Sequence, residues 1–154
     1  MYEFHHETIL NAQINTVFDF FSDAQNLERI TPTFLGFHII TPTPIKISQG
    51  TLIDYKLRIH GIPMRWQTHI SEWNPPYSFT DEQLKGPYQQ WIHRHTFESI
   101  GDGNATRMRD HVRYSIFAGK LVHFLIKKDI QTIFKHRTQV IESIFNTEIP
   151  SHAT

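Results

Sequence analysis

Between Thr51 and Ile116 apolar residues recur at every second position, and from Lys120 to Phe145 they recur at every third or fourth. A chain that switches period once is committed to a run of strands followed by one long helix. Ile53, Tyr55, Leu57 and Ile59 alternate with Asp54, Lys56, Arg58 and His60 across Thr51–His60, the pattern of a half-buried strand. After Gly61-Ile62-Pro63, Met64, Trp66, Thr68 and Ile70 continue the pattern to Trp73. Asn74-Pro75-Pro76 ends that strand, because proline has no amide for the ladder. Tyr77–Lys85, the turn Gly86-Pro87, Tyr88–Ser99, the turn Gly101-Asp102-Gly103-Asn104 and Ala105–Ile116 complete five strands in meander order. Ile126, Ile130, Ile133, Phe134, Arg137, Val140, Ile141 and Ile144 then mark one face of a helix ~40 Å long.

Upstream, residues 2–10 read as a first strand at a sheet edge. Asn15 or Thr16 is placed to cap a short helix carrying Val17, Phe18, Phe20 and Phe21. Asp23 to Ile30 forms a second short helix, and Phe37–Ile40 a further strand broken by Pro42 and Pro44. The class is α+β, with a curved antiparallel sheet, two short helices after the first strand and a long C-terminal helix. One helix is too narrow to fill the concave face of such a sheet, so a cavity is expected between them. At 154 residues the chain fits one domain over 1–147, with a tail at 148–154. Lys plus Arg balance Asp plus Glu at 15 each, which argues against nucleic acid and anionic membranes as partners. There is no cysteine, no leader-like apolar segment and no run long enough for a membrane helix, so a cytoplasmic protein is expected. Twelve Phe, five Tyr and three Trp beside 11 His suit flat apolar walls with scattered polar handles.

The pattern W-x-P-P-x-x-F-x-D-x-Q-x-x-G-P-Y-x-x-W-x-H-x-H-x-F runs from Trp73 to Phe97. With Val17-Phe18, Asn26-Leu27 ahead of Thr31-Pro32, Gly61-Ile62-Pro63 and Ile133-Phe134 before Arg137, it resembles the small bacterial stand-alone members of the START/polyketide cyclase (SRPBCC) superfamily. The resemblance spans nearly the whole chain and implies the helix-grip fold, with the sheet wrapped around the long helix. It also implies a cavity for a small hydrophobic or amphipathic ligand, which some members cyclise or dehydrate. One departure is Ile116-Phe117-Ala118-Gly119, where such proteins usually have a proline before the glycine.

Alternation places Trp91, His93, His95 and Phe97 on one strand face, Phe79, Asp81 and Gln83 on its neighbour, and Met108, Asp110, Val112 and Tyr114 on the next. Cross-strand neighbours lie ~5 Å apart, which brings His93 and His95 within reach of Asp81, Gln83 and Asp110, while Arg137 points to the same interior from the helix. One reading is a satisfied buried network in which Asp110 pairs with Arg137. A second has these groups hold the polar end of a ligand whose body lies against Tyr55, Trp66, Phe79, Trp91 and Tyr114. A third makes His93 or His95 a general acid/base held by Asp81 or Asp110. His-x-His with Asp110 also has the makings of an open zinc site, but two spaced histidines are a weak signal and the resemblance implies no metal, so neither metal nor cofactor is expected. His5 and His6 are adjacent on a strand and point to opposite faces, so they cannot chelate together. A protein-interaction module with a collapsed interior is the further alternative, and it predicts no ligand uptake.

Overall fold

The computed structural model describes residues 1–146, and the tail expected at 148–154 lies outside them. The elements are β1 (Tyr2–Leu10), α1 (Ile14–Ser22), α2 (Ala24–Ile30), β2 (His38–Ile39), β3 (Leu52–Ile59), β4 (Ile62–Asn74), β5 (Ser78–Lys85), β6 (Gln90–Ile100), β7 (Ala105–Ser115) and α3 (Lys120–Phe145). The seven strands form one antiparallel sheet in the order β1-β7-β6-β5-β4-β3-β2. The meander read from the sequence is β3 to β7. β2 adds to one edge and β1 to the other, beside the last strand.

The sheet curls where β4 loses register against β5, between Gln67 and Thr68 and again between Ile70 and Glu72. Each irregularity bends the strand and raises its twist. The concave face grips α3, which buries Ile130, Phe134, Arg137 and Ile141. At one end of the trough α1 and α2 close over Phe79, Phe97 and Met108, with Leu10, Val17, Phe18, Ile30 and Ile141 completing that cluster. A second cluster, Val112, Tyr114, Ile130 and Phe134, fixes α3 to β7, and a third joins Ala24, Ile39 and Ile53. The space between these clusters is the cavity described below.

The start of α1 differs from expectation. The helix begins at Ile14 with Gln13 at the cap, which makes no side-chain capping bond, and Asn15 and Thr16 fall in its first turn. Ile14 packs against the first core cluster, so apolar contact rather than a hydroxyl or amide cap sets the boundary. Asp23 does cap α2, accepting from the Gln25 amide at 2.9 Å.

Candidate functional site

The site is built on the three central strands. In the β5–β6 register Asp81 lies opposite His93 and Phe79 opposite His95, and in the β6–β7 register His95 lies opposite Asp110 and His93 opposite Val112. The hydrogen bonds run along the diagonals of this block. His93 Nε2 donates to Asp110 Oδ1 at 2.9 Å, and His95 Nε2 donates to Asp81 Oδ2 at 2.7 Å. The remaining ring nitrogens also face carboxylates, with His95 Nδ1 at 3.1 Å from Asp110 Oδ1 and His93 Nδ1 at 3.7 Å from Asp81 Oδ2. The 3.1 Å contact is an ion-pair approach without hydrogen-bond alignment. Two acids and two imidazoles thus alternate in a closed ring, the imidazole centroids 3.7 Å apart.

Burial drives both imidazoles towards the neutral form, but their surroundings separate them. For His95, burial is outweighed by Asp110 and Asp81, and its pKa is raised above the ordinary 6.5. A neutral imidazole has one N–H to offer, so a ring with a carboxylate oxygen beside each nitrogen suits the charged form. For His93, burial and the adjacent His95 together outweigh the two acids, and its pKa is lowered. Burial raises both carboxyls, yet the histidines and Arg137 hold Asp81 below its usual range and Asp110 well below it. Arg137 is buried, with Nη2 3.5 Å from Asp110 Oδ1, and its guanidinium lies over the rings of Phe21 and Phe134 at 5.2 and 5.6 Å. The surroundings therefore favour the charged forms of Asp81, Asp110, His95 and Arg137 and the neutral form of His93. Asp81, His93 and His95 have donors close enough to share a metal ion. An ion there would have to displace pairs that are already made, beside the fixed positive charge of Arg137.

This block forms part of the wall of a cavity of about 740 Å³ between the sheet, α3 and the α1–α2 pair. Of the residues singled out in the sequence, Tyr55, Trp66, Phe79, Asp81, Trp91, His93, His95 and Arg137 line it. Asp110 and Tyr114 are buried and are not among its lining residues, so Asp110 meets the cavity through the partners it holds, His93, His95 and Arg137. Gln83 does not join the cluster. Its side chain donates from Nε2 to the Tyr88 carbonyl at 2.8 Å and accepts from the Tyr88 amide at 3.2 Å, clamping the β5–β6 turn. The alternation of β5 counted it with Asp81, but it lies beyond Glu82, the last residue paired with β6, where that ladder opens into the turn and backbone groups need a partner.

The aromatic wall is cross-braced. Trp66 Nε1 donates to Thr68 Oγ1 at 3.1 Å, Tyr55 Oη lies 3.1 Å from the same oxygen, and Trp66 packs edge-on against Trp91 and Tyr88. The indole N–H and phenol are thereby satisfied, leaving their flat faces as the apolar surface. Sequence reasoning missed Phe20, Phe21, Leu27 and Phe34 from the helical side, and His60 and Asp129. Phe20 and Phe21 gave a signal, since Val17, Phe18, Phe20 and Phe21 span more than one helix face. His60, in the β3–β4 turn, has φ +50, a backbone state uncommon outside glycine, and its Nε2 donates to Asp129 Oδ2 of α3 at 2.8 Å. That bond ties the turn to the helix across the cavity rim.

A curved antiparallel sheet gripping one long helix over an apolar cavity defines a helix-grip domain. The chain belongs to the polyketide cyclase/dehydrase and lipid transport family, whose profile matches residues 10–139, and so to the START-like SRPBCC proteins. A START superfamily protein from Mycobacterium smegmatis superposes with a TM-score of 0.68 at 12% identity, over 92% of this chain and 98% of its own. The major latex-like protein 151 of Panax ginseng gives 0.66 at 12% identity, over 94% and 97%. The di-domain ARO/CYC protein BexL of the BE-7585A biosynthetic pathway gives 0.69 at 15% identity, with 93% of this chain covering 46% of that one. At such identities the likeness is one of fold. No curated protein matches the sequence. Among the described residues no helix is long and apolar enough to cross a membrane.

Proposed function

We propose that this chain is a cytoplasmic binding protein for one small, largely apolar molecule, seated in the cavity with a polar end against Asp81, His93 and His95. The observation that carries this reading is the concentration of buried ionisable groups in one block of an otherwise mainly apolar space of about 740 Å³. That volume falls in the range of ordinary small-molecule sites, about 300–1,000 Å³. A carboxylate and two imidazoles offer hydrogen-bond donors and acceptors, which suits a hydroxyl, carbonyl or amide on the ligand. Trp66, Trp91, Tyr55 and Phe79 supply flat surface for its body.

A second reading, acid/base chemistry on that ligand, is favoured by the split between the two imidazoles. A charged His95 is a proton donor and a neutral His93 an acceptor, and environments that push two adjacent groups apart are how acid and base roles are assigned. Such a pair suits enolisation or dehydration beside a carbonyl.

Native mass spectrometry of the purified chain, followed by titration with the neutral apolar fluorophore N-phenyl-1-naphthylamine, tests the binding reading. One-to-one uptake that weakens in Trp91→Ala is expected. No retained organic mass and no uptake by the unaltered chain would leave the protein-interaction alternative in its place. His95→Gln separates the two readings, since it weakens uptake modestly in a binding protein and abolishes turnover in an enzyme.

A further inference from the structure

The outer face of the sheet carries a second cluster of donors, remote from the cavity. Glu3 and His5 are two residues apart on β1 and share its outward side, and His111 of β7 lies directly opposite His5 in the ladder. Glu3 Oε2 is 3.4 Å from His5 Nε2 and 3.5 Å from His111 Nε2, and the two imidazoles stack with centroids 4.1 Å apart. All three donors fall within 4.8 Å of one another. Ligands at the usual zinc distances of about 2.0–2.1 Å around a tetrahedral ion are separated by about 3.4 Å. Two of the three edges therefore stand at coordination spacing.

Two further observations point the cluster towards a cation. His111 Nε2 is shut off from solvent and makes no hydrogen bond among the described residues, although it stands 3.5 Å from the Glu3 carboxylate. Arg113 is the residue opposite Glu3 in the register, yet among the described residues the Glu3 carboxylate pairs with the imidazoles instead. Arg107 and Arg109 of β7 pair with Glu7 and Glu98, and Arg94 of β6 pairs with Glu72.

We propose that Glu3, His5 and His111 form a surface site for a single divalent transition-metal ion of the zinc type. The fourth position faces solvent and takes a water or an added ligand. Because its ligands come from two strands, the ion ties the edge strand β1 to β7. Binding requires neutral imidazoles, so affinity rises with pH as protons are released.

The test is calorimetric titration of the untagged full chain with zinc chloride near neutral pH, with Co²⁺ as a spectroscopic substitute. One ion per chain is expected, with the intense visible absorption of four-coordinate cobalt. His5→Ala and His111→Ala should each weaken binding about 10- to 100-fold or more. His6→Ala, on the opposite side of β1 and bonded to Thr138, should leave binding unchanged. His5 is exposed and His111 half-buried, and His5→Asn serves as a milder variant should an alanine variant unfold. No binding, or binding undiminished in the His5→Ala/His111→Ala double variant, overturns the proposal. Loss of binding only in His93→Gln or His95→Gln does the same, by moving the ion into the cavity.

Discussion

Replacing Arg137 by Met removes the permanent positive charge from the buried block. Its Nη2 lies 3.5 Å from Asp110 Oδ1, a gross attraction of about 5 kcal/mol at an effective dielectric near 20. Met retains much of the packing against Phe21 and Phe134, and Asp110 keeps its hydrogen bond from His93 and its approach from His95. A buried acid deprived of one partner typically destabilises a fold by about 3–5 kcal/mol, and that is the loss expected at alkaline pH. The block then carries an excess negative charge, and His93 is the group placed to cancel it. Its pKa, held below 6.5 in the native chain, should move upward, so the deficit shrinks as pH falls and His93 takes a proton. Urea unfolding on either side of the histidine range measures the deficit, and ¹⁵N spectra of the imidazole rings report the charge on His93 directly. A deficit under about 1 kcal/mol at both pH values, the scale of an exposed ion pair, would refute the account. So would a His93 ring that titrates in the variant as it does in the native chain.

The native chain should show its own pH signature. His95, raised above 6.5, contributes stability that is complete below 6.5 and lost as pH rises through its folded value; His93, lowered, withdraws stability as pH falls below 6.5; Asp81 and Asp110 withdraw more below 3.8. The block's contribution is therefore greatest near 6.5, and melting temperatures that rise steadily into the alkaline range would contradict the charge assigned to His95. Trp66→Ala should lower unfolding stability by about 3 kcal/mol while admitting bulkier fluorophores, and unchanged uptake would deny the indole its place in the wall. Gln83→Ala removes both bonds to the Tyr88 backbone and should cost about 1–2 kcal/mol by urea unfolding, whereas a loss within error would mean the turn holds without its clamp.

Most of the architecture was legible because hydrophobic period is a local property. The long helix falls at Lys120–Phe145 as the three- and four-residue spacing required, and the strands from Leu52 onward match their alternation to within a residue or two at most ends. Long-range pairing was less visible. Nothing in residues 2–10 names β7 as their partner, and the cap of α1 was misplaced because a distant apolar contact of Ile14 decides it. At the candidate site, alternation identified which side chains share a face and therefore that Asp81, His93, His95 and Asp110 are neighbours. Depth and side-chain path were not legible. Asp110 and Tyr114 differ from His93 only in lying off the cavity wall, and Gln83 turns aside to a backbone that alternation does not see. His5 was set aside because its sequence neighbour faces the other way, and its partner His111, 106 positions on, was invisible until the strands were paired.

The place of β1 beside β7 has a kinetic consequence. The meander from β3 to β7 closes through turns of a few residues, but the β1–β7 ladder joins Leu10 to Thr106 and Tyr2 to Tyr114. Closing a loop of about a hundred residues instead of about four costs roughly 3 kcal/mol more in chain entropy, which no contact repays until the ladder begins to form. The strand made before all the others therefore pairs after them. During synthesis it waits, with Phe4 and Leu10 uncovered, until Ala105–Ser115 has emerged and folded against β6.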